Sequence, residues 1–134
     1  MLVEMSDPDP AWHILKDIEP GAPGDQWRCT ARQPTVKILA ATTQNLKLIV
    51  DFTLWPVAFQ QTGPVVLSFL VNDRLLDKIR YTAPGEKHFE KLVPPDWLTT
   101  DVESIVSVSI DKLYTAPTDG MKFGFILSRI GFLQ

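Results

Sequence analysis

Three aromatic residues outside the clearest strands have the residue type and placement to do chemistry in this chain. Trp55 stands directly before a proline, Trp97 follows a Pro-Pro-Asp stretch, and Tyr114 belongs to a long loop rich in turn-forming residues. Sugar sites use wet, amphipathic aromatic rings as platforms, and carboxylates such as Asp119 accept hydrogen bonds from hydroxyls. We therefore interpret Trp55, Trp97, Tyr114 and Asp119 as candidate ligand-binding residues. The alternative is that these rings plug the open ends of the fold, because large aromatic side chains are mostly buried.

No pattern for covalent or phosphate chemistry accompanies these aromatics, since the chain has no Gly-rich phosphate loop, nucleophile elbow or zinc-protease motif. The carboxylates Asp17, Glu19 and Asp25 flank one expected loop, and Asp111 and Asp119 flank another. Such residues could assemble a glycosidase pair, but they are more typical of ordinary turns, and we favour the turn interpretation. We expect no enzyme activity, with a small carboxylate hydrolase as the weakest alternative.

The residues that commonly bind metals or act as nucleophiles are few. Cys29 is the one cysteine, which excludes an internal disulfide and predicts a small apolar residue within a strand. His13 and His88 are predicted to be ordinary strand residues, because a zinc site would need further clustered ligands. We expect no metal and no cofactor.

Charge and length exclude several classes of partner. The 134 residues fit one domain, and the net charge of −3 comes with basic residues scattered singly along the chain. A nucleic-acid binder would show a basic stripe, so we expect no nucleic-acid partner. No apolar run approaches the ~20 residues of a membrane span, so no membrane insertion is expected. The first residues lack the pattern of a signal peptide, which predicts a cytoplasmic location.

The elements that must position these side chains read as strands. From Asn45 to Leu54 the even-numbered residues are apolar and the odd-numbered ones polar, except for Ile49, and this period of two indicates a half-buried strand. Ser104 to Asp111 alternates similarly, and Pro64 to Val71 is apolar on both faces, as in a central strand. The other predicted strands are 12–18, 27–32, 35–40, 88–93 and 122–133.

Residues 72–80 fit two structures. Apolar residues at helical spacing favour a short helix, whereas Asn72-Asp73 favours a two-residue hairpin turn. We prefer the hairpin, because the segment is short and runs into strand-forming residues. Pro95 to Leu98 is predicted to form a single helical turn.

This spacing of short strands and turns, with no crossover helices, is typical of an all-β fold. We predict a two-sheet antiparallel β-sandwich, jelly-roll-like, with eight or nine strands. Residues 1–11 are predicted to be a loose arm, and 12–134 a single domain.

Short motifs in this order suggest a family. Glu19 precedes a Gly/Pro loop and then Trp27-Arg28-Cys29-Thr30, and Asn72 follows a valine at the predicted turn. The closing strand contains Asp119-Gly-Met-Lys-Phe-Gly-Phe, which includes Lys122 and Gly124. Together these motifs resemble a bacterial β-sandwich accessory module of the kind found with glycosyltransferases and cell-surface polysaccharide proteins.

The chain departs from that family at three positions. Cys29 replaces an aromatic residue, Asp73 replaces a turn glycine, and Lys122 stands where arginine is usual. A lysine lacks the bidentate geometry that arginine offers to a carboxylate such as Glu19 or Asp119. The resemblance implies an architecture and a glycan-related context, and it implies no reaction.

Two functions remain after these exclusions. The first is a non-catalytic carbohydrate-binding or glycan-associated accessory domain, whose partner is a glycan. The alternative is a structural or protein-interaction module without a small-molecule ligand, which binds a partner protein or forms a homo-oligomer. Its motivation is the apolar stretch Val65 to Leu70 and the edge strands that such a sandwich could pair between copies.

Overall fold

The computed structural model describes residues 2–5, 14–18 and 28–134, and within them the chain is almost entirely β-strand. None of the helices in these residues is long and apolar enough to span a lipid bilayer. The all-β class predicted from the sequence is confirmed. The described elements are β1 (Leu2–Glu4), β2 (Ile14–Ile18), β3 (Arg28–Ile38), β4 (Lys47–Leu54), α1 (Pro56–Thr62), β5 (Val65–Val71), β6 (Arg74–Tyr81), β7 (Gly85–Leu92), a 3-10 turn (Pro95–Trp97), β8 (Ser104–Ile110), β9 (Tyr114–Thr115), β10 (Lys122–Phe123) and β11 (Ile126–Leu133).

All described strand pairs are antiparallel and most follow one path, β6-β5-β8-β3-β11-β4-β7. The long strand β3 joins the halves of this path, because Cys29 pairs with Ile126 of β11 whereas Val36 pairs with Val106 of β8. The result is one sheet nearly closed into a barrel. The pairing therefore does not show the two separate sheets predicted from the sequence.

Aromatic rings close the two ends of this path over a shared core. Phe69 on β5 stacks on Phe89 of β7 with ring centroids 3.7 Å apart. Phe52 on β4 meets Tyr81 of β6 edge to face at 5.4 Å and also contacts Phe125 at 5.5 Å. Because β6 and β7 are the first and last strands of the path, these rings bring its ends face to face.

The alternation predicted for residues 45–54 is confirmed in β4, where Leu48, Val50 and Phe52 are buried. Ile49 is buried as well, although it points to the opposite face. It pairs there with Gly131 of β11, which has no side chain beyond its Cα.

The hairpin at Asn72-Asp73 is also confirmed. Both residues have positive φ, 50° and 64°, as a two-residue turn between twisted strands requires. Residues 95–97 form the predicted single helical turn, here a 3-10 turn.

Two sets of predicted strand boundaries were wrong, and one helix was missed. The strand predicted over 122–133 is interrupted at Gly124-Phe125, because both the amide and the carbonyl of Phe125 bond the hydroxyl of Thr30. The strands predicted at 27–32 and 35–40 are one strand, β3, which runs through Pro34. Helix α1 was not predicted.

Part of the predicted loose arm is ordered against the sheet. Leu2 to Glu4 form β1 and pair with residues Gly131 to Arg129 of β11. Met5 is buried with the core, which anchors this stretch by its apolar side chain. Residues 2–5 therefore do not belong to a loose arm.

Candidate functional site

One end of the barrel collects three of the four candidate ligand-binding residues, Trp55, Tyr114 and Asp119. At this end β4 finishes at Leu54, opposite Gly85 of β7, and β5 begins at Val65, opposite Tyr81 of β6. Strand β8 finishes here as well, at Ile110. We call this the Trp55 end.

Trp55 is held at the junction between β4 and α1. Its carbonyl accepts the first helical hydrogen bond from the amide of Phe59 at 2.9 Å, and Pro56 occupies the first turn, where its missing amide costs nothing. The indole is 45% exposed and its ring meets Tyr114 nearly perpendicularly, with centroids 5.7 Å apart. The ring is thus wet and yet fixed in position.

Tyr114 packs against this tryptophan. It is buried and lies in the short strand β9, so it is not the exposed loop residue expected from the sequence. The side-chain amide of Gln61 on α1 bonds both backbone groups of Thr115, accepting from its N–H at 2.8 Å and donating to its carbonyl at 3.0 Å. This clamp fixes the helix to the hairpin that carries Tyr114.

Strands β9 and β10 form a small hairpin that carries Asp119 and Lys122. A carboxylate oxygen of Asp119 accepts from the amide of Met121 at 3.0 Å, which is the turn chemistry expected of aspartate. Lys122 pairs along the backbone with Thr115 and its side chain is exposed. Both residues therefore lie at the Trp55 end.

A shallow cleft of about 240 Å³, open to solvent, lies beside the indole. Its wall is mainly apolar, with Lys112 as its charged group. The lining residues are Leu54, Trp55, Ala58, Phe59, Thr62, Val65, Ile110, Lys112 and Gly124.

Gly124 allows two strands to approach closely at the base of this cleft. Its amide donates to the carbonyl of Thr30 at 2.7 Å. A Cβ at this position would lie 2.5 Å from the carbonyl oxygen of Ala31 and 3.0 Å from a methyl carbon of Ile110. The glycine of the closing motif is thus required by close packing.

Comparisons with known proteins bear on the fold. No family model and no curated protein matches this chain. A solved structure described as a family GH115 4-O-methyl-α-glucuronidase with specificity for decorated arabinogalactans is similar to 83% of the chain, at 10% identity and a TM-score of 0.50. This chain spans 14% of that enzyme, so the likeness concerns the backbone fold of one segment.

A second solved structure is the CBM36-1 domain of a multidomain xylanase from the hindgut metagenome of Trinervitermes trinervoides. It covers 100% of this chain and 98% of its own, at 6% identity and a TM-score of 0.46.

Trp97 and Asn72 lie at the opposite end. The side-chain amide of Asn72 donates to the carbonyl of Trp97 at 2.8 Å, and its oxygen accepts from the amide of Ile105 at 2.9 Å. Asn72 follows the last residue of β5, whereas the first residue of β5 lines the cleft. Seven strand residues separate the ends by about 20 Å, so Trp97 and Trp55 cannot share one site.

The exposed surface of Trp97 is also partly occupied. The guanidinium of Arg74 lies 5.7 Å from the centroid of the indole, a cation–π arrangement. The ring is half-buried and packs against the core. These contacts make Trp97 a poorer platform for a sugar than Trp55.

The remaining motif residues divide between described and undescribed parts of the chain. Glu19 and Trp27 lie outside the described residues, as does His13. Arg28 begins β3, and its Nε is buried without a hydrogen-bond partner in the described part of the chain. Cys29 is half-buried in the same strand.

Sequence reasoning missed a charged row on the outer face of β11, β4 and β7. Asp51 on β4 pairs across the strands with Arg129 of β11 and His88 of β7, and each side chain bonds one carboxylate oxygen. His88 also lies 3.5 Å from Glu90. Alternation placed Asp51 on the polar face, but the cross-strand register that aligns its partners has no signal in the sequence.

These contacts shift the pKa of both central groups. The hydrogen bond to Asp51 raises the pKa of His88 above its ordinary value. Burial alone would raise the pKa of Asp51, but the bonds from Arg129 and His88 outweigh it and lower the pKa. The row is half-exposed on an outer sheet surface, and we interpret it as a cross-strand stabilising network.

Within residues 2–5, 14–18 and 28–134, no group of three His, Cys, Asp or Glu side chains is placed to hold a metal ion. The carboxylates of Asp111 and Asp119 each accept a backbone amide, from Val66 and Met121. Turn and strand-end chemistry therefore accounts for both.

Proposed function

We propose that this chain is a non-catalytic carbohydrate-binding accessory module that binds a glycan at the Trp55 end. The observation that carries this proposal is Trp55, a residue that is 45% exposed beside a cleft although a large apolar ring gains by burial. The ring is ordered by Tyr114 and by the start of α1 before any ligand arrives. A preordered aromatic plate loses little conformational entropy when a sugar stacks on it.

The chemistry around the plate suits a sugar ring. The C–H face of a pyranose packs on the indole, and its hydroxyls need polar partners at the rim. Lys112 supplies ammonium donors, and Thr62 supplies a hydroxyl on the same wall. Asp119 lies on the neighbouring hairpin, and we propose it as an acceptor for hydroxyls further along the glycan.

The fold supports an accessory role without fixing the ligand. The fold likeness to a segment of a carbohydrate-active enzyme fits a module that accompanies glycan-processing domains. We propose that the motifs resembling those of bacterial glycosyltransferase accessory modules have the same explanation, namely that this chain accompanies glycan-processing domains. In that proposal residues 12–134 form a single domain, and β3 crosses between the two layers of a jelly-roll sandwich.

The test is binding of an oligosaccharide panel, followed by calorimetry and by tryptophan fluorescence. Trp55→Ala should weaken binding about tenfold or more, because it removes the stacking surface. Trp97→Phe is the matched control, since it alters an indole about 20 Å away at the other end of β5.

Equal binding by the wild-type protein and Trp55→Ala would refute this site. A flat response across the whole panel would refute glycan binding, and the alternative of a protein-interaction module would take its place.

A further inference from the structure

The charged residue in the cleft narrows the class of glycan, if the proposed function holds. Lys112 lies on the wall beside Trp55 and is the charged member of the lining set. It lies in the short connection between the end of β8 at Ile110 and the start of β9 at Tyr114. A ligand stacked on the indole would therefore meet one cation at a defined place.

The ammonium of Lys112 has donors to spare. Its Nζ donates to the backbone carbonyl of Pro64 at 2.9 Å, a contact that holds the ammonium next to the start of β5. An ammonium carries three N–H donors, so this bond leaves two. Within the part of the chain that the structure describes, the salt bridges do not involve Lys112.

The carboxylate of the preceding residue accepts a backbone hydrogen bond. Asp111 is the neighbour of Lys112 in the chain, and its side chain accepts from the amide of Val66 at 2.8 Å. The guanidinium of Arg32 donates to the backbone carbonyl of Asp111 at 3.3 Å. Arg32 and Lys112 therefore carry two positive charges against the single negative charge of Asp111.

We propose that the cleft selects a glycan residue that bears a carboxylate, a uronic acid, with its ring on Trp55 and its carboxylate on Lys112. Hydrogen bonds between an ammonium and a carboxylate are shorter and stronger than those to a neutral hydroxyl. A neutral sugar can stack on the same ring, but its hydroxymethyl group gives the cation no charge to pair with.

The experiment compares an oligogalacturonide with its carboxyl-reduced neutral form by calorimetry on the whole chain. The two ligands share linkage and length and differ in the charged group alone. We expect the acidic form to bind about fivefold more tightly, the size of a partly exposed ion pair, with the difference shrinking as salt is added.

Three variants assign the preference. Lys112→Met should remove it by weakening the acidic form more than the neutral form, so that the two affinities become equal, and Lys112→Arg should keep it. Lys122→Met is the matched control, because Lys122 is an exposed lysine on β10 at the same end and outside the lining set. It should keep the preference.

The outcomes separate the two proposals. Equal binding of both ligands, weakened in both cases by Trp55→Ala, would overturn the uronic-acid inference and leave the glycan site standing. A preference that survives Lys112→Met would also overturn the inference. Failure of both ligands to bind, when another oligosaccharide of the panel binds and Trp55→Ala weakens it, would overturn the uronic-acid inference alone. Failure of the whole panel would refute the glycan site as well.

Discussion

Replacing Gly124 by alanine should destabilise the protein strongly, because the added Cβ has no room. It would lie 2.5 Å from the carbonyl oxygen of Ala31, 3.0 Å from a methyl carbon of Ile110 and 3.1 Å from the hydroxyl of Thr30. The closest atom belongs to the backbone of β3, which cannot rotate away as a flexible side chain could. The chain must therefore move at a point where two strands are joined.

The neighbouring hydrogen bonds set the size of the effect. The amide of Gly124 bonds the carbonyl of Thr30, and the hydroxyl of Thr30 bonds both backbone groups of Phe125 at 3.0 and 3.1 Å. Moving the strands apart by several tenths of an ångström strains all three contacts. Overpacking of this kind costs up to about 3 kcal/mol. In a domain of this size that corresponds to a melting temperature about 10 °C lower.

Urea denaturation followed by circular dichroism measures this cost. Gly120→Ala is the matched control, because nothing lies within 4 Å of its Cβ position and its φ of +73° is the source of strain. That control should lose about 1–2 kcal/mol. If Gly124→Ala is as stable as the wild-type protein, or more stable than Gly120→Ala, the close approach of β3 to Gly124 is wrong.

Two further predictions concern residues away from the cleft. The pKa of Asp51 is lowered from 3.8, so its contribution to stability is present above that pH and is lost as the pH falls through the folded-state value. The pKa of His88 is raised from 6.5, so its contribution is present below 6.5 and is lost as the pH rises through the folded-state value. Thermal stability should therefore be highest between about pH 4 and pH 6.5. His88→Gln should flatten the decline above pH 6.5, and an unchanged profile would refute the assignment. Asn72→Ala should cost about 2 kcal/mol in urea denaturation, because it strands the amide of Ile105 and the carbonyl of Trp97. It should leave glycan binding unchanged, and a loss of binding would contradict the separation of the two ends.

The sequence predicted the strands best where one face is buried and the other is wet. In β4 the alternation of apolar and polar residues matches the observed burial of Leu48, Val50 and Phe52. The turn at Asn72-Asp73 was equally readable, because these residue types tolerate positive φ. Both signals are local, so a single sequence carries them in full.

The misjudged elements depend on contacts between distant parts of the chain. The break between β10 and β11 exists because Thr30, 95 residues away from Phe125, captures its backbone groups. Helix α1 has no buried residues and no side-chain cap. Its seven residues therefore carry neither the apolar period nor the capping residue from which a helix is predicted. The proline in its first turn is the available signal, but a proline after an apolar run also fits the end of a strand, so it does not by itself predict a helix.

The candidate site shows the same division between local and distant information. Trp55 and Trp97 look equivalent in the sequence, since each stands beside a proline next to an expected strand. What separates them is their position at opposite ends of β5, since Val65 lines the cleft beside Trp55 and Asn72 bonds Trp97. Arg74 also lies over the ring of Trp97. The sequence contains no local signal for Lys112, because the role that we propose for it depends on the strand end that brings it beside Trp55. Residue types therefore indicate the candidate binding residues, and long-range strand pairing determines which of these candidates lie close enough to act together.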